Sequence, residues 1–246
     1  MKGLYSPPRA ATQAWADYQL AILTPCKDYE VAARFAKSVA NLIAYSWMQG
    51  LKVYAMGVTE RMVVHWGRND LVRTALRQQN EYTGEPFTHF LWLDDDSVFN
   101  PDLAVYLAHH GDLDIVSALY FGRGPHLPVV YVKDGSADPY KHYPLVEVPA
   151  KLCEVDAVGL GACLMQRQVF ERLPEPWFAF NGAGEDIYFC VSARAAGLRI
   201  FCDGSYRLGH IGPPQIVTEA TYRAYMDAHQ ERYADKIRVG LGGKRA

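Results

Sequence analysis

The chain has 246 residues, half of them hydrophobic, enough to bury a substantial core in one large domain or two closely packed halves. A formal net charge of −2 excludes a general electrostatic field for steering onto nucleic acid. No apolar run is long enough to span a bilayer, and the opening MKGLYSPPRAATQ lacks the apolar stretch of a signal peptide. Five cysteines without a C-x-x-C pair read as reduced thiols, so a cytoplasmic location is expected.

Residues 1–17 contain Pro and no periodicity, and predict a surface arm. Leu20-Ala21-Ile22-Leu23 predicts a short strand stopped by Thr24-Pro25. A helix is expected from about Asp28, with Val31, Phe35, Val39, Leu42 and Ile43 on one face and Gly50 just past its end. Lys52 to Val58 reads as a second strand, and Gly67-Arg68-Asn69 as the opening of a second helix. Phe90-Leu91-Trp92-Leu93 gives the signal of a central parallel strand and runs straight into Asp94, Asp95 and Asp96. Asn100 and Pro101 are placed as N-cap and first residue of the next helix. This alternation predicts an α/β fold with a parallel, doubly wound sheet.

The three adjacent carboxylates fall at the carboxyl edge of that sheet, where open α/β sheets bind ligands. Their mutual repulsion calls for a positive partner. Mg²⁺ or Mn²⁺ prefers oxygen ligands and bridges readily to phosphates. The alternative is a solvated acidic turn capping the following helix.

Asp114 to Tyr120 predicts a further strand. Residues 121–150, rich in Pro, Gly and Tyr, predict a loop-rich insertion or β-hairpin over the sheet's carboxyl edge. Gly159-Leu160-Gly161-Ala162 would either let a ligand approach the backbone or form a tight turn. An aromatic loop over residues 174–184, PEPWFAFNGAG, leads into Glu185-Asp186, which open an amphipathic helix. The helix N-terminus is expected to lower the Asp186 pKa. A strand from Leu198 to Cys202, then Arg207-Leu208-Gly209-His210, closes the core, and a helix from Thr218 leads into the tail GLGGKRA. Together these pieces suit group transfer from a diphosphate donor, with one carboxylate as base and His210 as a candidate metal ligand.

Four stretches in this order carry a family resemblance: GRNDLVRTAL, FLWLDDDSVFNPD with DIVSALY, VDAVGLGACLMQRQVFERLPEPWF, and GEDIYFCVSARAAGLRIFCDGSYRLGHIG. The chain resembles the GT-A glycosyltransferases of the family-two-like group, especially compact phage and bacterial enzymes. The resemblance implies a Rossmann-like, mostly parallel central sheet flanked by helices, with a loop-rich insertion on the acceptor side. It implies one catalytic domain over 18–217, with a donor half to about 120 and an acceptor half from 121, followed by a C-terminal helix and tail over 218–246.

The implied activity is metal-dependent transfer of a hexosyl group from a nucleotide sugar to a hydroxyl, with inversion and with Mn²⁺ or Mg²⁺. Asp94-Asp95-Asp96 matches the family's D-x-D motif, with Asp94 and Asp95 toward the donor and Asp96, Asp94 and His210 around the metal. Asp186 matches the catalytic base, beside Glu185. Thr24, Pro25, Arg68 and Asn69 are assigned to the donor, and Gly161, Ala162 and Trp177 to the acceptor or sugar pocket. No uracil-reading Asp follows the second strand, and Glu60 is the nearest acid. A UDP-sugar is the expected donor, and the acceptor is left open among a glycan, a protein and a modified nucleobase. Oligomeric state is likewise open. The competing readings are a non-catalytic nucleotide- or carbohydrate-binding module and a nucleotidyltransferase.

Overall fold

The computed structural model describes residues 15–233, apart from 16, 29, 61, 125, 213 and 214. The expected N-terminal arm, save residues 15 and 17, and the tail beyond 233 lie outside the described residues. In chain order the first half runs β1 (Gln19–Pro25), α1 (Ala33–Met48), β2 (Lys52–Thr59), α2 (Val64–Arg77), β3 (His89–Leu93), β4 (Ser97–Val98), α3 (Leu103–Ala108) and β5 (Ile115–Leu119). The 121–150 segment carries β6 (Val130–Lys133) and β7 (His142–Pro144), an antiparallel hairpin. Then come β8 (Leu152–Val155), β9 (Ala157–Val158), β10 (Ala162–Gln166), α4 (Arg167–Arg172), α5 (Glu185–Ala195), β11 (Ile200–Arg207), β12 (Gly209–Gly212), β13 (Gln215–Val217) and α6 (Glu219–Ala228).

Among the described residues the main sheet has seven strands in the order β2-β1-β3-β10-β5-β11-β8. Strand β1 pairs parallel with β2 and β3, and β11 pairs parallel with β5. The sheet is mixed rather than wholly parallel, because β10 runs antiparallel between β3 and β5, and β8 runs antiparallel along β11. Mostly parallel and flanked by helices, it is the α/β arrangement that the resemblance implies.

Every residue of β1, β3 and β5 is buried, as strands covered on both faces require. Alternate side chains feed two cores. Ala21, Leu23, Phe90 and Trp92 pack with α2, α4 and α5, while Leu20, Ile22, Leu91 and Leu93 pack with α1 and α3. Trp92, Phe170, Phe178 and Phe189 form one aromatic cluster on the first face. Truncating any of these to Ala would cost about 3–5 kcal/mol.

Several boundaries differ from expectation. Helix α2 begins at Val64, not Gly67, so Arg68 and Asn69 lie in its second turn. Gly67 lies inside the helix, and glycine is needed there because a Cβ would come within 2.6 Å of Thr59 Oγ1 at the end of β2. Helix α3 begins at Leu103 with Asp102 as N-cap; the Asp102 carboxylate accepts from Tyr206 Oη at 2.8 Å instead of capping the helix. Helix α1 starts at Ala33, and Gly50 follows it at φ 81°, the left-handed residue expected there. Among the described residues no helix is long and apolar enough to cross a membrane.

Candidate active site

Strand β3 delivers Asp94 to the sheet's carboxyl edge, and the chain turns at once: Ser97 N–H donates to Asp94 O at 3.0 Å. The Gly161 carbonyl, at the start of β10, accepts from Asp94 N at 3.2 Å and Ser97 Oγ at 3.1 Å, pinning the acidic turn to the sheet. The two residues of β4 then pair with β12, Ser97 opposite His210 and Val98 opposite Gly209. That short pairing sets His210 Nε2 3.3 Å from Asp96 Oδ2, although the two residues are far apart in sequence. The Phe121 carbonyl accepts from His210 Nδ1 at 2.9 Å. Burial lowers the His210 pKa, but Asp96 and this carbonyl raise it by more, so the protonated ring donates Nε2–H to Asp96; once neutral, with its proton kept at Nδ1, it would offer the Nε2 lone pair to a cation.

From α2, Arg68 reaches under the acids, with Nη2 2.8 Å from Asp94 Oδ1 and Nε 3.3 Å from Glu185 Oε1. Its side chain is 3% exposed and its guanidinium lies 5.2 Å from the Trp92 ring centre. Burial would lower the Arg68 pKa, but Asp94 and Glu185 raise it, so the group stays a fixed cation. Asn69 is used differently. Its Nδ2 donates to Phe178 O and His65 O, both at 2.7 Å, and its Oδ1 accepts from Phe178 N at 3.2 Å. It anchors the aromatic loop to α2 and does not line the cavity.

Glu185 and Asp186 open α5 behind Gly184, whose φ of 105° only glycine adopts readily. Asp186 does accept the Ile187 N–H at 2.8 Å, but its pKa is raised to about 6, against the lowering expected from the helix end. Burial is the main cause and the neighbouring Glu185 charge the second; together they outweigh the backbone hydrogen bond and Arg68.

These groups surround a cavity of about 650 Å³. Asp94, Asp95, Asp96, Arg68, Glu185 and His210 line it, with Pro25 from the end of β1. Asp186 does not line it; it sits beside Glu185 on the flank nearest Tyr120 and Tyr131, whose hydroxyl pKa values are raised by burial and then by nearby acids, Asp186 among them. Thr24 is buried in β1 opposite Val58. The buried Cys26 also lines the cavity, its thiol pKa pushed up to about 12 by burial and by Asp95, to which it hydrogen-bonds. Burial and the adjacent Asp96 charge raise the Asp95 carboxyl in turn. At Asp96 burial acts upward, but the hydrogen bond and charge of His210, with Arg123, bring the carboxyl below its ordinary range.

Three residues assigned to an acceptor pocket are found in packing roles. Gly161 and Ala162 are buried, and the Tyr120 ring fills the space above the glycines: a Cβ at Gly159 would come within 2.1 Å of Tyr120 Oη, and one at Gly161 within 2.9 Å of Cζ. Trp177 is 5% exposed, with Nε1 donating to Phe170 O and Leu173 O at 3.0 Å. Conversely, the cavity is lined by residues the sequence reading passed over: Lys27, Arg123 and the apolar wall Met62-Val63-Val64. Arg123 Nη1 stands 3.0 Å from Asp96 Oδ2. Its one sequence signal is an Arg set between two glycines just after a strand that ends at the acidic edge.

Among the described residues no three His, Cys, Asp or Glu side chains converge as a ready-made metal cage. Asp94 is turned to Arg68, leaving Asp96 and His210 as the pair. Two ligands each about 2.1 Å from one ion at right angles stand roughly 3 Å apart, close to their 3.3 Å separation. Mg²⁺-like ions are commonly held by one or two protein groups with substrate phosphates completing the shell. The residues present therefore fit a substrate-completed ion.

No family model and no curated protein sequence matches the chain. Among solved structures, A197 from STIV superposes with a TM-score of 0.55 at 18% identity, covering 81% of this chain and 93% of that one. The two share a fold. A mutant Drosophila β-1,4-galactosyltransferase 7 complexed with manganese, UDP-Gal and xylobiose gives a TM-score of 0.46 at 18% identity, covering 92% of this chain and 82% of that one. A UDP-glucose pyrophosphorylase complexed with UDP-glucose gives 0.44 at 8%, covering 87% and 99%.

Proposed function

We propose that the chain is a glycosyltransferase of the family-two-like GT-A group, moving a hexosyl unit from a nucleotide sugar to an acceptor hydroxyl with inversion. The observation that carries this reading is the convergence on one cavity of strand-end acids, a buried Arg, Glu185 at the start of α5 and a late His, with Asp186 next in the chain behind Glu185. A buried carboxylate whose pKa is raised to about 6 beside that cavity suits a proton acceptor and favours the enzyme over a non-catalytic binding module.

In this reading Asp96 and His210 hold a Mn²⁺ or Mg²⁺ ion, which when bound neutralises charge on the donor diphosphate. Arg68 keeps Asp94 and Glu185 ionised and in place at the donor side. Pro25 and the Met62-Val63-Val64 wall form a non-polar surface against which a nucleobase ring packs, UDP being the expected carrier. Asp186 takes the proton from the acceptor hydroxyl as its oxygen bonds to the anomeric carbon. The bond from that carbon to the phosphate oxygen breaks on the opposite face, and the nucleoside diphosphate leaves. Such a base contributes ~10²–10⁴-fold. The acceptor is a glycan, a protein or a modified nucleobase.

The test is a thermal-unfolding screen against nucleotide sugars with and without Mn²⁺. A ligand at 100 times its Kd stabilises by about 2.7 kcal/mol, a shift of several degrees for a chain of this size. A metal-dependent shift with one nucleotide class supports the reading; no shift with any donor overturns it.

A further inference from the structure

Arg123 is held at the cavity by two independent features. Its Nη1 contacts the same Asp96 oxygen, Oδ2, that faces His210 Nε2. Its stem lies over Gly212, the last residue of β12, where a Cβ would come within 3.2 Å of Arg123 Cγ and 3.4 Å of Cδ. Glycine there is a seat for the arginine stem; no left-handed φ demands it. The Arg123 side chain is 55% exposed and lines the cavity.

A divalent cation on Asp96 Oδ2 repels a guanidinium on the same oxygen, so its binding favours release of Arg123 from the carboxylate. With the stem seated on Gly212, a displaced Arg123 still carries its five donors into the same cavity, in a fork suited to phosphate oxygens.

We propose that Arg123 is a diphosphate ligand that Asp96 holds in reserve, exchanged from the carboxylate onto the donor's phosphates when a cation binds Asp96 and His210. The proposal rests on the nucleotide-sugar reading and adds a residue to it. Loss of a charge-assisted pair of hydrogen bonds lowers phosphate affinity by about 10–100-fold. Removing the competing guanidinium should raise affinity for the cation itself, because Asp96 then has one partner fewer. The two effects have opposite sign, which a general loss of structure cannot produce.

The experiment is titration calorimetry with UDP and GDP in saturating Mn²⁺, and with Mn²⁺ alone, on the wild-type chain, Arg123→Gln, Arg123→Lys and Gly212→Ala. Arg123→Gln is expected to bind the diphosphate at least about tenfold more weakly and Mn²⁺ alone more tightly. Arg123→Lys, which keeps the charge without the fork, should fall between, as should Gly212→Ala, which keeps the Arg and crowds its seat. Diphosphate affinity within about threefold of wild type in Arg123→Gln, or Mn²⁺ affinity that is unchanged or lower, overturns the role of Arg123 alone. A wild-type chain that binds neither diphosphate overturns the nucleotide-sugar reading, and this inference with it.

Discussion

Arg68 Nη2 lies 2.8 Å from Asp94 Oδ1 in a pair whose arginine side chain is 3% exposed. Through its Nε the same guanidinium reaches Glu185, so one cation from α2 ties the end of β3 to the start of α5. Those are the two elements that bring the strand-end acids and Asp186 together. The Coulomb gain of such a pair is offset by the desolvation of its charges, and its main consequence is positional.

Removing the cation leaves two carboxylates facing each other with no counter-charge. Arg68→Ala should destabilise the fold by about 3–5 kcal/mol at neutral pH, the usual cost of breaking a buried pair from one side. Arg68→Lys should cost less, because a point charge can still approach one acid though not both. Urea unfolding of the two variants checks this, and a loss below about 1 kcal/mol for Arg68→Ala would show the acids solvated without it.

A second expectation concerns the ion. Asp96→Ala should abolish Mn²⁺-dependent binding of a nucleoside diphosphate, since it removes the carboxylate of the two-residue pair. His210→Ala should weaken the same binding less, because the imidazole brings no negative charge. Calorimetry separates the two, and unchanged Mn²⁺-dependent affinity in Asp96→Ala would take that residue out of the metal site.

The acidic strand was legible because β3 is buried on both faces, which leaves an unbroken apolar run ending in charge. The start of α5 was legible for the same kind of reason, a glycine loop giving way to an amphipathic helix. Strand direction was not: Ala162 to Gln166 is apolar either way, and periodicity carries no sign to mark β10 as antiparallel. Strand β4 has two residues, too few for any pattern, yet its pairing with β12 is what seats His210 beside Asp96. Trp177 misled because an aromatic in a Gly- and Pro-rich loop reads alike as a sugar platform or as core. Arg123 and the Met62-Val63-Val64 wall lie in irregular segments whose placement depends on the whole fold.

The Gly159-Leu160-Gly161 turn allows a direct trial of packing against ligand approach. A Cβ at Gly159 would press on the buried Tyr120 Oη and, at 2.5 Å, on Cγ1 of the partly buried Val129. Gly159→Ala should therefore destabilise by about 1–3 kcal/mol in the absence of any ligand. Gly124→Ala, with nothing within 4 Å, serves as the control and should be close to neutral. Thermal unfolding reads both. A Gly159→Ala chain of wild-type stability would remove the Tyr120 packing explanation for the glycine.

The last expectation is about Asp186, whose burial and neighbour Glu185 raise its pKa from 3.8 to about 6. As a base it works only when ionised, so turnover should rise as pH climbs through about 6 and level off above. The same shift fixes the sign of its effect on stability. A carboxyl whose folded pKa exceeds its unfolded value favours folding while protonated; that contribution is complete below pH 3.8 and is lost as pH rises through about 6. At pH 7–8 the ionised group is thus a liability to the fold, and Asp186→Asn should be more stable than wild type by up to ~3 kcal/mol, at about 1.4 kcal/mol per pKa unit. Donor and Mn²⁺ binding should survive in that variant while turnover falls by ~10²–10⁴-fold, and Glu185→Gln should lose less. Urea unfolding at pH 5 and pH 8, donor calorimetry and turnover, measured on both variants together, give the answer. Near-normal turnover in Asp186→Asn would place the base elsewhere. Loss of donor binding would instead move Asp186 into the donor site, and a variant no more stable than wild type at pH 8 would show the carboxylate well solvated.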